Sequence, residues 1–247
     1  MKAKGVVMAG GLGTRFRPLT YYLQKCMVPV GPQQKPILEY ILRLYRHHHI
    51  RDITLLVGYK HQQIRNYFGD GSRLGLTLTY VEDRPGWKGS GMALLNAYLE
   101  GVLSEEETLL VYYGDILSSL NLRSMLGHHW ETGCKATLAL TKGLKVNEGV
   151  AKVEGGLVKE FREKPTLEFN ATIGVLALER EVLPSLQSMG AGEGSLDLMG
   201  DVIQGLVGRG ERVGAYVTDA FWYDVGSVER LERLDPEVFT REMGFLQ

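Results

Sequence analysis

The residues best suited to chemistry lie in a glycine-rich stretch near the N-terminus, Ala9-Gly10-Gly11-Leu12-Gly13-Thr14-Arg15-Phe16-Arg17-Pro18-Leu19-Thr20. Three glycines in four positions let the backbone take φ > 0 and approach a ligand closely. Successive N–H groups in such a turn form a concave site for anions. Arg15 and Arg17 follow at once, and a guanidinium holds phosphate oxygens through paired hydrogen bonds. The chemistry implied is phosphate binding. Two better-known phosphate loops do not fit. A Walker A loop needs Gly-Lys-Ser/Thr after four intervening residues, and a dinucleotide fingerprint needs GxGxxG opening a helix. Here the spacing is GGxGxR, and Pro18 close behind is a poor residue for an entering helix. On its own the segment also reads as a glycine turn with exposed arginines.

Gln24-Lys25-Cys26-Met27-Val28-Pro29-Val30 follows in the same region, and Lys25 is a compact charge able to reach a β- or γ-phosphate. Together, GGLGTRFRPLT and KCMVP resemble the signature of the sugar-1-phosphate nucleotidylyltransferases, a family that includes guanylyl-, thymidylyl- and uridylyltransferases acting on hexose 1-phosphates. The resemblance runs in order from about Lys4 to about Leu234. It departs at Cys26, where the family usually has proline. That change bears on loop stiffness more than on chemistry.

The resemblance implies a division of roles. Ala9, Gly10, Gly11, Gly13, Thr14, Arg15 and Lys25 would hold the nucleotide's phosphates. Gly114-Asp115 would otherwise read as a turn at a strand end, and Asp224, in Trp222-Tyr223-Asp224-Val225-Gly226-Ser227, as a helix cap. In the family they supply two carboxylates to Mg2+, an ion that takes one or two carboxylates plus substrate phosphates. Glu163-Lys164-Pro165 would otherwise be a charged hairpin edge. The resemblance puts Lys164 on the sugar phosphate and Glu163 on sugar hydroxyls. Gly149 (in Asn147-Glu148-Gly149-Val150) and Gly174 match further sugar-side positions. The tyrosine common near Val175-Leu176 is absent. Arg15, Lys25, Asp115, Lys164 and Asp224 are thus the expected catalytic set.

Lys88-Gly89-Ser90-Gly91-Met92-Ala93-Leu94 is similar to the family's LGTAGAL segment at the nucleoside, with Lys88 and Met92 as departures. Gly89 and Ser90 fall on the nucleotide side, and Glu82-Asp83 occupies the base-reading region, with Glu82 taken as the contact. A carboxylate there accepts from guanine N1–H and its 2-amino group, whereas uracil and thymine offer one N–H. The reading therefore leans to GTP with mannose 1-phosphate or a similar sugar phosphate. The alternative is dTTP or UTP with glucose 1-phosphate, and Arg84-Pro85-Gly86-Trp87 blurs the alignment. Two readings of other kinds stay open. One is a catalytically weak regulatory subunit that binds a nucleotide sugar. The other is a GT-A glycosyltransferase, though Tyr113-Gly114-Asp115-Ile116-Leu117 lacks the usual Asp-x-Asp.

The elements that must position these residues alternate in type. Gly5–Ala9, Ile53–Val57, Leu76–Val81 and Thr108–Tyr113 read as strands, and Ile37–Tyr45, His61–Phe68 and Ser90–Val102 as helices. That alternation implies a mainly parallel sheet covered on both faces, with ligands beyond the carboxyl ends of its strands. The second half adds strands at Ala136–Thr141, Val150–Val153, Leu157–Phe161, Thr172–Leu178, Val213–Val217 and Phe221–Val225. It also adds helices at Leu196–Val207 and Val228–Leu234, and Gly155-Gly156 turns a hairpin. The expectation is one α/β domain over residues 1–247: a three-layer, Rossmann-like, GT-A-like nucleotidyltransferase fold. A nucleotide half would cover about 1–120 and a smaller β-rich sugar-phosphate half about 121–235.

Composition bounds the rest. The chain has 247 residues, 44% hydrophobic and 23% charged, with 28 basic and 29 acidic side chains and a net charge of -1. That balance argues against nucleic acid as a partner. No run reaches the roughly 18 to 20 apolar residues of a membrane span, and Met1–Met8 lacks the apolar core of a signal peptide. Two cysteines, Cys26 and Cys134, suggest reduced thiols in a cytoplasm, with Cys134 a small buried residue. A homo-oligomer is compatible with the sequence. His47-His48-His49 cannot share one ligand face on a helix and reads as an exposed helix end, as does His128-His129.

Overall fold

The computed structural model describes residues 2–103, 108–146, 148–190 and 194–246. The chain opens with strand β1 (Ala3–Ala9), then a loop of short 3-10 turns and the two-residue pair β2 (Pro29–Val30) and β3 (Lys35–Pro36). Helix α1 (Ile37–His47), β4 (Asp52–Val57), α2 (His61–Phe68), β5 (Thr77–Glu82), α3 (Ser90–Leu99) and β6 (Thr108–Tyr113) complete the alternating half. There follow β7 (Ile116–Ser118), α4 (Leu122–Thr132), β8 (Ala136–Thr141), β9 (Leu144–Lys145), the hairpin β10 (Val150–Glu154) and β11 (Leu157–Arg162), β12 (Thr166–Leu167), β13 (Ala171–Glu179) and α5 (Leu183–Met189). A π-helical turn (Leu198–Ile203) runs into α6 (Gln204–Gly208). The chain ends with β14 (Val213–Thr218), β15 (Trp222–Asp224), α7 (Val228–Glu232) and α8 (Pro236–Met243).

Seven strands form one sheet in the order β14-β8-β13-β6-β1-β4-β5. β1 pairs in parallel with β4 and β6, β4 with β5, and β8 with β14, while β13 runs antiparallel to both its neighbours. The strands of the second half therefore extend the first half's sheet. Strand periodicity sends alternate residues to opposite faces. Val7, Leu55 and Leu110 join the core under α1, α4 and α8, whereas Val6, Leu56 and Leu109 join the core under α3 and α5. This is the expected three-layer α/β arrangement.

Several local expectations change. The helix expected to run to Val102 stops at Leu99, and the one expected from Leu196 starts at Leu198 in π geometry, with Asp197 capping Met199 and Gly200 N–H. α4, α5 and α8 were not anticipated. The last returns to the first half, where Phe239 packs edge-on against Tyr40 at 5.0 Å. His129 is not an exposed helix end. It is 1% exposed on the core face of α4, its Nδ1 2.7 Å from Thr137 Oγ1 and its Nε2 2.9 Å from Glu179. His47 and His49 are exposed but His48 is half-buried, and burial lowers its pKa to about 4. Cys26 and Cys134 are both buried and free. Among the described residues no helix is long and apolar enough to cross a membrane.

Candidate active site

β1, β4, β5 and β6 are parallel neighbours, so their carboxyl ends share one edge of the sheet. The residues that directly follow them, Gly10, Gly58, Asp83 and Gly114, all line one cleft of about 730 Å3. This is where ligands bind in open α/β sheets. Glycine is needed at these strand ends because the backbones crowd there. A Cβ on Gly114 would come within 2.7 Å of the Met8 carbonyl, and one on Gly10 within 2.5 Å of Asp83 Oδ2.

Of the expected nucleotide residues, Ala9, Gly10, Gly11, Lys25, Glu82, Gly89 and Ser90 line this cleft, together with Asp115. Gly13, Thr14 and Arg15 lie beyond its lining, on a 3-10 turn that Gly13 opens at φ 61°. Thr20 Oγ1 donates to the Gly13 carbonyl at 2.8 Å and ties the turn down. Arg15 is exposed and has no ion-pair partner among the described residues. The loop's main anchor is Gln24, which lies inside the quoted motif but outside the expected site. It is 1% exposed, its Nε2 donates to the Ala9 carbonyl at 2.8 Å, and its Oε1 accepts from Cys26 N–H at 2.5 Å. A proline has no such N–H, so Cys26 gives the loop a bond that the family's usual residue cannot. Burial raises the Cys26 thiol pKa far above its ordinary value, which leaves a neutral packing group.

Lys25 forms an ion pair with Asp115 at the cleft floor. The segment that carries Asp224 joins the Asp115 backbone from the far end of the chain. β15 pairs antiparallel with β7, Asp224 stands opposite Ile116, and Val225 N–H donates to the Asp115 carbonyl at 2.9 Å. Asp224 pairs with Arg230 on α7. Both carboxylates are thus partly buried against a cation of their own chain.

The two acids at the end of β5 differ. Glu82 pairs with Arg65 (3.2 Å) and His61 (3.6 Å). Asp83 has no side-chain partner among the described residues, and its carboxyl packs against Gly10 and Gly58 at the cleft wall. Partial burial raises its pKa above the ordinary aspartate value. Both acids line the cleft; the sequence shows them adjacent but does not reveal that Glu82 is ion-paired and Asp83 is not. Ser90 also has a structural role beside its place in the cleft lining. Its hydroxyl donates to Asp197 Oδ2 at 2.9 Å and accepts from Leu198 N–H at 2.8 Å, so it joins α3 to the π-helical turn.

The expected sugar-side residues stand apart from the cleft lining. Glu163 and Lys164 are exposed beyond the β10–β11 hairpin, 3.8 Å apart, with Lys164 at φ 47°. Gly149 faces them: a Cβ there would meet the Phe161 ring at 2.5 Å and Glu163 Oε2 at 3.0 Å. Asn147 of that quoted segment lies outside the described residues. Gly174 sits at the irregularity of β13 with φ 73°, against Tyr113 and Ile116, which bracket Asp115 in the chain.

Comparison with known proteins identifies the family. The family model described as nucleotidyl transferase matches residues 4–240. The chain is 31% identical to a UTP--glucose-1-phosphate uridylyltransferase of Synechocystis, over 99% of this chain and 65% of that protein. It is 32% identical to a mannose-1-phosphate guanylyltransferase of Mycobacterium tuberculosis, over 92% of this chain and 62% of that protein. The chain therefore spans less than two thirds of the length of these relatives. Among solved structures, an apo UDP-glucose pyrophosphorylase superposes with a TM-score of 0.74 at 21% identity, covering 98% of this chain and 99% of that one. HddC of Yersinia pseudotuberculosis complexed with GMP-PN superposes at 0.70 and 18% identity, covering 96% and 99%. These likenesses support the fold. The match over residues 4–240 shows that the chain belongs to the nucleotidyl transferase family.

Proposed function

We propose that this chain transfers a nucleotidyl group from a nucleoside triphosphate to a sugar 1-phosphate and releases pyrophosphate. The observation that carries the reading is the convergence of Gly10, Gly11, Lys25 and Asp115 on one strand-end cleft, with Val225, next to Asp224, hydrogen-bonded to the Asp115 carbonyl. An oxygen of the sugar 1-phosphate attacks the α-phosphorus. The bond from that phosphorus to the α,β-bridging oxygen breaks, and pyrophosphate leaves with the electron pair. The nucleophile is an anion at neutral pH, so no general base is needed. The protein contributes position and charge neutralisation.

The loop amides, Thr14 and the free Arg15 guanidinium hold the triphosphate. Lys25 shifts from Asp115 toward the phosphates as the substrate brings in negative charge. Lys164 neutralises the incoming sugar phosphate, Glu163 and Gly149 shape the sugar site, and Gly174 leaves room beside Asp115. Asp115 and Asp224 fit a hard divalent cation such as Mg2+. Both carboxylates already sit against positive charge, and Gly226 leaves open the space beside Asp224 that a Cβ would enter to 2.8 Å. When bound there, the ion would neutralise charge on the phosphates.

Asp83, the cleft acid that has no side-chain partner among the described residues, reads the base in this proposal in place of the ion-paired Glu82, which keeps the leaning to GTP with mannose 1-phosphate or a similar sugar phosphate. The relatives include both guanylyl and uridylyl enzymes, so dTTP or UTP with glucose 1-phosphate is the alternative. The site of action is the cytoplasm, where free Cys26 and Cys134 stay reduced. Pyrophosphate release, measured with Mg2+ for GTP, dTTP, UTP, CTP and ATP against mannose, glucose and heptose 1-phosphates, tests the reading. One strongly preferred pair is expected. Nucleotide binding without release for any pair would favour a regulatory subunit instead.

A further inference from the structure

Asn96 lies on the inward face of α3, 1% exposed, among the buried Met92, Leu94, Leu95 and Ala97. A buried amide normally satisfies its polar atoms. Asn96 does so only by half. Its Nδ2 donates to the Glu82 carbonyl at 2.9 Å and to Glu100 Oε1 at 3.1 Å, while its Oδ1 has no partner. An apolar side chain of similar size would leave no such orphan, so packing alone does not account for an amide here.

The carbonyl that Asn96 holds belongs to the peptide group whose N–H is that of Asp83. That N–H donates to the Val57 carbonyl of β4 at 2.8 Å. β5 is an edge strand of the sheet, with β4 on its inner side and no strand on its outer side. The outward carbonyl therefore needs a side chain to hold it. With N–H held by β4 and C=O held by α3, this peptide plane is restrained on both sides, and with it the position of Asp83 Cα, from which the carboxylate projects. Asp83 has no side-chain hydrogen bond among the described residues that could set it otherwise.

We propose that Asn96 is a positioning residue that clamps the Glu82–Asp83 peptide and so keeps the Asp83 carboxylate turned to the nucleobase. This rests on the base-reading role given to Asp83 above. It assigns base selectivity to a buried amide that touches no substrate.

The test is equilibrium binding of GTP, dTTP, UTP, CTP and ATP by calorimetry, with melting temperatures, for wild type, Asn96→Leu, Asp83→Asn and the double variant. Binding is the readout, so the result stands whether or not nucleotidyl transfer is found; transfer is assayed separately. Asn96→Leu is expected to reduce the preference for the favoured base roughly tenfold, the worth of about one hydrogen bond, with little change in melting temperature. In the Asp83→Asn background it should change base preference no further, because residues acting through one group are non-additive. Asn96→Ala serves if the leucine variant does not fold. Unchanged base preference in Asn96→Leu would overturn the proposal, as would an equal loss in the Asp83→Asn background. So would a drop in melting temperature with preference intact, which would mark the amide as structural. A wild-type chain with no base preference would overturn it too.

Discussion

Val225 N–H donates to the Asp115 carbonyl at 2.9 Å, and this bond ties the backbone next to Asp224 to that of Asp115 although the two aspartates lie far apart in the chain. The pairing of two short strands, β7 and β15, brings the backbones of two separate Asp motifs together. Each carboxylate has its own cation, Lys25 or Arg230. That arrangement leads to the first prediction.

Asp115→Asn and Asp224→Asn should each lower kcat by at least about 100-fold, the scale seen when one electrostatic stabiliser of a transition state is removed. Stability should change by less than about 1 kcal/mol, because these pairs are partly exposed. Steady-state kinetics and thermal melts separate the two effects. Wild-type turnover in either variant would refute the metal assignment.

Lys164→Ala should raise KM for the sugar phosphate about tenfold, an effect on the order of 1.4 kcal/mol, and leave KM for the nucleotide unchanged. Lys164 is exposed and bonded to little besides Glu163, so folding should not suffer. Two-substrate kinetics would show this split. Equal loss for both substrates would place Lys164 elsewhere in the mechanism.

Asp83→Asn should reduce discrimination between nucleotides about 10- to 100-fold, matching the 1.5–3 kcal/mol of a hydrogen bond to a charged group. Glu82→Gln should not, since Glu82 is committed to Arg65 and His61. Competition between triphosphates gives the measurement. Loss of selectivity in Glu82→Gln alone would reverse the assignment.

Stability should fall in acid through His48. Burial lowers its folded pKa to about 4 from 6.5, so between those values the unfolded chain binds the extra proton. The stabilisation is complete above pH 6.5 and is lost as pH falls from 6.5 toward about 4. Denaturant midpoints of wild type and His48→Gln across that window should converge toward low pH. A constant difference between them would contradict the shift.

Much of this was legible in the sequence because local spacing expresses it. The glycine loop, the strand ends at Ala9 and Tyr113, and the hairpin at Gly155-Gly156 depend on backbone rules that act over a few residues. α4 escaped notice because its core stripe of Leu122, Met125 and Leu126 ends in His129, a polar residue that the pattern assigned to solvent. Its partners, the buried Thr137 and the partly exposed Glu179, come from other strands. α8 shows only Phe239 and Met243 as apolar contacts, too few to signal a helix without Tyr40 to receive them. The choice between Glu82 and Asp83 depends on which acid finds Arg65 and His61, and no local spacing reveals that. Gln24 and Asn96 share this character: their roles depend on carbonyls supplied by distant strands.

The most direct test follows label from the triphosphate. With the preferred nucleotide labelled at the α- or γ-phosphorus, the α label should pass into a phosphatase-resistant sugar nucleotide and the γ label into pyrophosphate. Appearance of γ label on the sugar, or as orthophosphate without any sugar nucleotide, would contradict nucleotidyl transfer.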